Sequence, residues 1–212
     1  MEELRVRFPC GELSLEGIAG IPEGSGPFPA VIICHPHPLL GGSMDNNVVS
    51  SLFEFISRAW LIPFKFNFRG VGRSEGEFGE GIGEQDDVAA AISFVSSVKE
   101  VDSGRVGLVG YSAGAGFSLP VGYKDERIKA LAVVSPPLSM FDFGFLKDCF
   151  KPKLLLSGSR DDFTPPHQFL EFCQAVPEPR EYELIEGADH FWWGYEFEVG
   201  VKVSAFLSRV MK

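Results

Sequence analysis

A serine flanked by glycines stands out in the stretch VGLVGYSAGAG, residues 106–116. Gly110, Ser112 and Gly114 match the pattern G-x-S-x-G, in which a serine on a sharp turn between a strand and a helix acts as a nucleophile. The turn strains the backbone of the serine, so its neighbours must be small. The residues before the motif are typical of a buried strand, and those from Ser112 to about Gly122 are typical of a helix. The pattern therefore predicts that Ser112 is an exposed nucleophile at the end of a strand.

An acid and a base that would activate this serine follow it in the chain. The strand-like segment KPKLLLSG precedes Asp161 and Asp162, and the strand-like segment REYELIEG precedes His190. The carboxyl ends of parallel strands meet at one edge of a sheet, where open α/β sheets carry their sites. We expect the histidine to take the serine proton and an aspartate to orient the imidazole and stabilise its cation. The residues leave open which aspartate has this role.

The composition favours one globular α/β domain over residues 1–212 and argues against several other classes of protein. Apolar residues make up 45% of the chain, and the net charge of −10 argues against nucleic acid and anionic membranes as partners. We find no apolar run long enough to span a membrane and no signal-peptide pattern. The four cysteines form no C-x-x-C pair, so we expect reduced core thiols in a cytoplasmic protein.

Apolar and amphipathic segments alternate along the chain. Two alternating segments, at residues 4–8 and 13–21, predict strands that pair antiparallel at one edge of a sheet. Further strands are predicted at residues 28–34, 61–68, 105–110, 128–135, 151–158 and 180–187, and helices at residues 44–60, 83–98, 112–122, 165–176 and 195–210. This order predicts a mostly parallel central sheet with helices on both faces.

Four segments together resemble the α/β-hydrolase superfamily, and most closely its small dienelactone-hydrolase-like members that lack a separate cap domain. They are VIICHPHPLLGGSMDNN, FKFNFRGVGRSEG, GYSAGAG, and GSRDDFTPP with GADHF. The resemblance extends from residue 28 to the C-terminus and implies the α/β-hydrolase fold. The family pattern G-x-x-D aligns with Asp161, and the pattern G-x-x-H aligns with His190. The resemblance therefore implies a catalytic triad of Ser112, His190 and Asp161.

The resemblance also implies an oxyanion hole made of two backbone N–H groups. One belongs to the residue after the nucleophile, Ala113, and the other comes from the loop after the strand at residues 28–34. That loop reads HPHP where the family often has His-Gly. Because proline has no N–H, we expect His37 to be the second donor, with Leu39 as the alternative. No carboxylate or cysteine cluster lies near His35 and His37, so we expect no metal, and His35 is expected to brace the loop.

The space in which a cap domain is usually inserted holds only residues 136–150, which are rich in phenylalanine. We expect apolar side chains from this segment and from the loops around it to form a substrate pocket, with Leu39, Tyr111, Met140, Phe141 and Trp192 among its residues. The expected function is hydrolysis of a small carboxylic ester through an acyl-enzyme, without a cofactor. An acyltransferase and a non-catalytic scaffold of the same fold are the alternatives. The sequence does not determine the oligomeric state.

Overall fold

The computed structural model describes residues 1–211, which form eight β-strands and five α-helices. The strands are β1 (Glu2–Cys10), β2 (Leu13–Ile21), β3 (Phe28–Cys34), β4 (Ile62–Phe66), β5 (Val101–Tyr111), β6 (Ile128–Val134), β7 (Lys153–Arg160) and β8 (Arg180–Asp189). The helices are α1 (Asn47–Arg58), α2 (Ile82–Ser97), α3 (Ala113–Gly122), α4 (Pro166–Ala175) and α5 (Glu196–Val210). Each strand and helix predicted from the sequence is present, with its ends shifted by a few residues at most.

The eight strands form one sheet in the order β1-β2-β4-β3-β5-β6-β7-β8. β1 pairs antiparallel with β2, and β2 pairs antiparallel with β4, whereas all the other neighbours are parallel. This is the mostly parallel sheet with an antiparallel edge that the alternation of segments predicts, and it is the α/β-hydrolase fold.

Helices cover both faces of the sheet because the buried strands carry apolar residues on both sides. In β3, Ile32 and Cys34 belong to the core under α2, α3 and α4, whereas Val31 and Ile33 belong to the core under α1 and α5. The alternation of side chains along a strand thus divides one continuous apolar run between two hydrophobic cores.

The connection between β6 and β7 leaves the carboxyl edge of the sheet without a cap. Residues 135–152 hold one short 3₁₀ helix, Gly144–Asp148, and no separate cap domain occurs within residues 1–211. Within residues 1–211, no helix is long and apolar enough to cross a membrane. The described residues also contain no cluster of three or more histidine, cysteine, aspartate or glutamate side chains that is placed to hold a metal ion.

Close backbone approaches surround the turn between β5 and α3. A Cβ atom on Gly110 would lie 2.4 Å from the Cα of Ala115, and one on Gly114 would lie 2.3 Å from the carbonyl oxygen of Cys34. Both distances are well inside van der Waals contact, and both partners are backbone atoms that no rotamer change can move. Glycine is therefore required at both positions for the turn to pack against β3 and α3.

Substitution of Gly114 by alanine is expected to destabilise the protein by about 1–3 kcal/mol, the cost of overpacking a core. Alanine usually stabilises a helix relative to glycine, so the sign of the effect separates steric conflict from helix propensity. Gly104→Ala is the matched control, because a Cβ there meets only the Asp102 side chain, at 3.2 Å. Denaturant unfolding of the three proteins measures the difference. A Gly114→Ala protein as stable as the parent would contradict the required close approach.

Candidate active site

Three side chains predicted from the sequence meet at the carboxyl edge of the sheet. Ser112 Oγ lies 2.8 Å from His190 Nε2, and His190 Nδ1 lies 2.9 Å and 3.0 Å from the two carboxylate oxygens of Asp161. All three residues are buried, with 9%, 7% and 1% of the surface of Ser112, His190 and Asp161 exposed. A hydroxyl, an imidazole and a carboxylate connected in this order can activate the hydroxyl as a nucleophile.

The geometry also decides between the two neighbouring aspartates. Asp161 Oδ1 accepts hydrogen bonds from the backbone N–H groups of Phe163 and Thr164, at 3.0 Å and 2.9 Å. Asp161 Oδ2 accepts a further hydrogen bond from Ser157 Oγ at 3.3 Å. These donors fix the carboxylate towards the imidazole, whereas the next residue, Asp162, is exposed. Asp161 is therefore the carboxylate that contacts His190.

Two hydrogen bonds fix the backbone of the loop after β8, at His190 and at the next residue. The Tyr111 hydroxyl donates to the carbonyl oxygen of His190 at 2.8 Å, and burial raises the pKa of Tyr111 well above its usual range, which keeps the hydroxyl protonated. Asn47 Nδ2 donates to the carbonyl oxygen of Phe191 at 2.9 Å. The rings of Phe163 and Phe191 pack against the imidazole, with centroids 4.5 Å and 5.6 Å from its own. The ring is thus held in one position by backbone contacts and by packing.

His35 braces the loop after β3 and lies outside the cavity. Its Nε2 accepts from the backbone N–H of Phe68 at 3.1 Å, so its Nδ1 is assigned the proton and donates to the carbonyl oxygen of Pro36 at 2.7 Å. Burial lowers the pKa of His35 to about 4, so the ring is neutral at neutral pH. The neutral ring ties the loop to the segment after β4.

The two backbone N–H groups expected to form the oxyanion hole, those of Ala113 and His37, have no partner within residues 1–211. Ala113 is the first residue of α3, so its N–H has no carbonyl partner inside the helix. The N–H of His37 makes no hydrogen bond to the described residues, while the carbonyl oxygen of His37 accepts from Leu40 and Gly42. The alternative donor, Leu39, has its N–H bound to His37 Nδ1 at 3.2 Å. Ala113 and His37 line the same cavity as Ser112, and unpaired donors in such a cavity are suited to stabilise an oxyanion.

A cavity of about 280 Å³ opens over Ser112. Its lining includes the predicted residues Tyr111 and Met140 together with Pro36, His37, Leu40, Gly41, Gly42, Asn46, Ser112, Ala113, Phe163, His190 and Phe191. Phe163 and Phe191 were not predicted as lining residues. The signal that would have found them is proximity in sequence, since Phe163 follows Asp161 by two residues and Phe191 follows His190 directly.

Three residues predicted for the pocket lie elsewhere. Leu39 is 69% exposed and does not line the cavity, to which its neighbour Leu40 contributes instead. Phe141 packs against Gly116 of α3, in the space that the missing side chain leaves free. A Cβ atom on Gly116 would lie 2.3 Å from the Phe141 ring. Trp192 is fully buried, and its Nε1 donates to Ser135 Oγ at 3.0 Å. Proximity in sequence identified the correct loops but not the side of each loop that faces the cavity.

Comparison with known proteins places the chain among serine hydrolases. Residues 21–190, which include the three residues of the site, match the sequence profile of the X-Pro dipeptidyl-peptidase (S15) family. An α/β serine hydrolase homologue from Coxiella burnetii is 33% identical, with 100% of this chain and 97% of that chain covered and a TM-score of 0.83. An α/β-hydrolase-like protein of unknown function from Agrobacterium tumefaciens is 30% identical, with 98% and 95% covered and a TM-score of 0.87. A lidless α/β serine hydrolase from Xanthomonas campestris is 26% identical, with 100% and 96% covered and a TM-score of 0.86.

The neutral His35 predicts that stability falls with acid. Its pKa is about 4 in the folded protein against 6.5 ordinarily, so the unfolded chain binds the extra proton between these values. The contribution of His35 to stability is therefore complete above pH 6.5 and decreases as the pH falls towards 4, by about 3 kcal/mol. His35→Gln has no such titration, so its free energy of unfolding, measured in urea at both pH values, should fall less than that of the parent. Equal losses in the two proteins would refute the assignment of a neutral, buried His35.

Proposed function

The chain belongs to the X-Pro dipeptidyl-peptidase (S15) family, within the α/β serine hydrolases, and we propose that it hydrolyses small, neutral carboxylic esters with Ser112 as the nucleophile. The observation that carries the proposal is the continuous contact from Ser112 Oγ to His190 Nε2 at 2.8 Å and from His190 Nδ1 to Asp161 Oδ1 at 2.9 Å. Each group lies within hydrogen-bond reach of the next, as nucleophilic catalysis by a serine requires.

In the first half of the reaction, Ser112 Oγ attacks the ester carbonyl while its proton moves to His190 Nε2. The Asp161 carboxylate, bound to His190 Nδ1, stabilises the imidazolium that forms. The carbonyl oxygen becomes an oxyanion, which accepts hydrogen bonds from the N–H groups of Ala113 and His37. Collapse of this intermediate breaks the bond to the alcohol oxygen, which takes the proton from His190 and leaves as the free alcohol.

In the second half, water replaces the alcohol. His190 removes a proton from the water as its oxygen attacks the acyl carbon, and the same two N–H groups hold the second oxyanion. The ester bond to Ser112 Oγ then breaks, and Oγ regains the proton from His190. The products are the carboxylic acid and the regenerated enzyme, so the cycle needs neither metal nor cofactor.

The lining of the cavity supports neutral substrates. Its walls are formed by Leu40, Met140, Phe163 and Phe191, and no lysine, arginine, aspartate or glutamate is among the residues that line it. An ionised substrate group buried there would lose its hydration without gaining a partner. At about 280 Å³ the cavity lies just below the usual range for small-molecule sites, which favours short acyl or aryl groups over long lipid chains.

Proline-specific peptidase activity is the second candidate, because the family profile is that of X-Pro dipeptidyl-peptidases. An enzyme that releases dipeptides has to bind the free ammonium group of the peptide, and a buried ammonium needs a carboxylate partner. The carboxylate-free lining of the cavity therefore favours an ester over an X-Pro peptide.

Ser112→Ala is expected to abolish hydrolysis of p-nitrophenyl butyrate and labelling by a fluorophosphonate probe. Asp161→Asn should lower kcat by on the order of 10⁴, because it stabilises neither the required tautomer of His190 nor the imidazolium. Asp162→Asn is the matched control, with the same chemical change one residue away on an exposed side chain, and should resemble the parent. Assays of the four proteins with one ester decide the assignment. Undiminished turnover by Ser112→Ala, or equal losses in the two aspartate variants, would contradict it.

Glycyl-prolyl-p-nitroanilide separates the two candidate activities. We expect no hydrolysis of this compound above the background rate under conditions in which p-nitrophenyl butyrate is turned over, because no carboxylate in the cavity can receive its ammonium group. Release of p-nitroaniline by the parent protein, lost in Ser112→Ala, would make the protein a peptidase and refute the preference for esters.

A further inference from the structure

The amide side chain of Asn46 has one fixed orientation at the wall of the cavity. Asn46 is the N-cap of α1, and its Oδ1 accepts hydrogen bonds from the backbone N–H groups of Val48 and Val49, at 2.9 Å and 3.4 Å. Only the oxygen of an amide can accept, so the Nδ2 atom has to point away from the helix. The cap thus determines which end of the amide lies at α1.

The two N–H donors of Asn46 Nδ2 are unused within the part of the chain that the structure describes. The only buried side-chain atoms without a partner in that part are Ser96 Oγ, Ser118 Oγ and Arg180 Nε, so Asn46 Nδ2 is open to solvent. Asn46 also lines the cavity over Ser112, so its open donors belong to a residue that a bound substrate would contact. The next residue differs, because Asn47 Nδ2 donates to the carbonyl oxygen of Phe191 and to Glu196 Oε1.

Two other polar side chains of the lining make hydrogen bonds to the backbone. The Tyr111 hydroxyl donates to the carbonyl oxygen of His190, and the His37 ring accepts from the N–H of Leu39. The His37 ring also packs against Phe78 and Phe117, with centroids 5.0 Å and 6.1 Å away. Beyond the reacting groups, Asn46 Nδ2 and His37 Nε2 are the side-chain nitrogens of the lining that make no hydrogen bond to the described residues, and of the two the amide offers a pair of N–H donors.

We propose that Asn46 is a substrate-binding residue whose Nδ2 donates to a second acceptor oxygen of the ester, next to the scissile carbonyl. The preferred substrates are neutral esters that carry an ether, hydroxyl or carbonyl oxygen close to the ester group in their acyl or alcohol part. This inference rests on the proposed esterase function. A neutral hydrogen bond of this kind changes kcat/KM by about threefold to tenfold.

Two pairs of esters of equal shape test the proposal. p-Nitrophenyl butyrate and p-nitrophenyl methoxyacetate differ by one CH₂ group against one oxygen in the acyl part, and n-butyl acetate and 2-methoxyethyl acetate differ in the same way in the alcohol part. Each kcat/KM is divided by the rate of alkaline hydrolysis of the same ester, which removes intrinsic reactivity. The parent protein should prefer the ether member of at least one pair by about threefold to tenfold.

Asn46→Ser and Asn46→Asp keep an acceptor for the N-cap, so α1 stays capped and thermal unfolding verifies the fold. Serine has no atom at the position of Nδ2, so the preference for the ether should disappear. Aspartate replaces both donors with acceptors, so the preference should reverse. Asp45→Asn is the control, because the side chain of Asp45 is 73% exposed and lies outside the cavity lining, and it should keep the parent ratio.

The outcomes separate the two proposals. No preference in either pair for the parent, or an unchanged preference in both Asn46 variants, overturns the role of Asn46 while hydrolysis dependent on Ser112 continues. Absence of any hydrolysis dependent on Ser112, together with absence of fluorophosphonate labelling, overturns the esterase proposal and the role of Asn46 with it.

Discussion

The strained backbone of Ser112 is the constraint on which the other parts of the site depend. Its φ of 52° and ψ of −127° lie in a region that costs an L-residue about 1–3 kcal/mol. The surroundings hold this conformation, because the N–H of Ser112 donates to the carbonyl oxygen of Val134 and its own carbonyl oxygen accepts from Ala115, both at 2.9 Å. The turn directs Oγ out of the sheet and places the first N–H of α3 beside it. Every other group of the site has to reach this one fixed point.

The strand order brings the remaining groups to that point from two sides of β5. Asp161 and His190 follow β7 and β8, which lie on one side of β5, and the loop that contains His37 and Asn46 follows β3, which pairs with β5 on the other side. All of these strands are parallel, so their carboxyl ends meet at one edge. The base and acid therefore approach the serine opposite the unpaired N–H donor of His37, and the cavity lies between them.

Polar contacts of Asn67 fix the loop after β3. Asn67 Oδ1 accepts from the N–H of Met44 at 2.8 Å, and Asn67 Nδ2 donates to Glu16 Oε1 at 2.7 Å. Glu16 belongs to β2, so the antiparallel edge of the sheet also helps to position the cavity wall. The mouth of the cavity stays open and apolar, with Leu40 75% exposed and Phe191 50% exposed. An entrance of this kind suits a substrate without charge.

The sequence by itself determined the order of the strands and helices and the mostly parallel sheet, because hydrophobic periodicity is a local property of the chain. It also determined Ser112 and His190 as residues that meet, because the G-x-S-x-G pattern and the end of a predicted strand are local properties too. The residues alone left Asp161 and Asp162 as alternatives, and the resemblance to the family pattern G-x-x-D favoured Asp161. Tertiary structure decided which carboxylate contacts the imidazole, and it placed Leu40, Phe163 and Phe191 at the cavity while turning Leu39, Phe141 and Trp192 away. The physical reason is that the direction of a side chain on an irregular loop depends on backbone angles and on distant partners, such as Gly116 for Phe141 and Ser135 for Trp192, which no local pattern encodes.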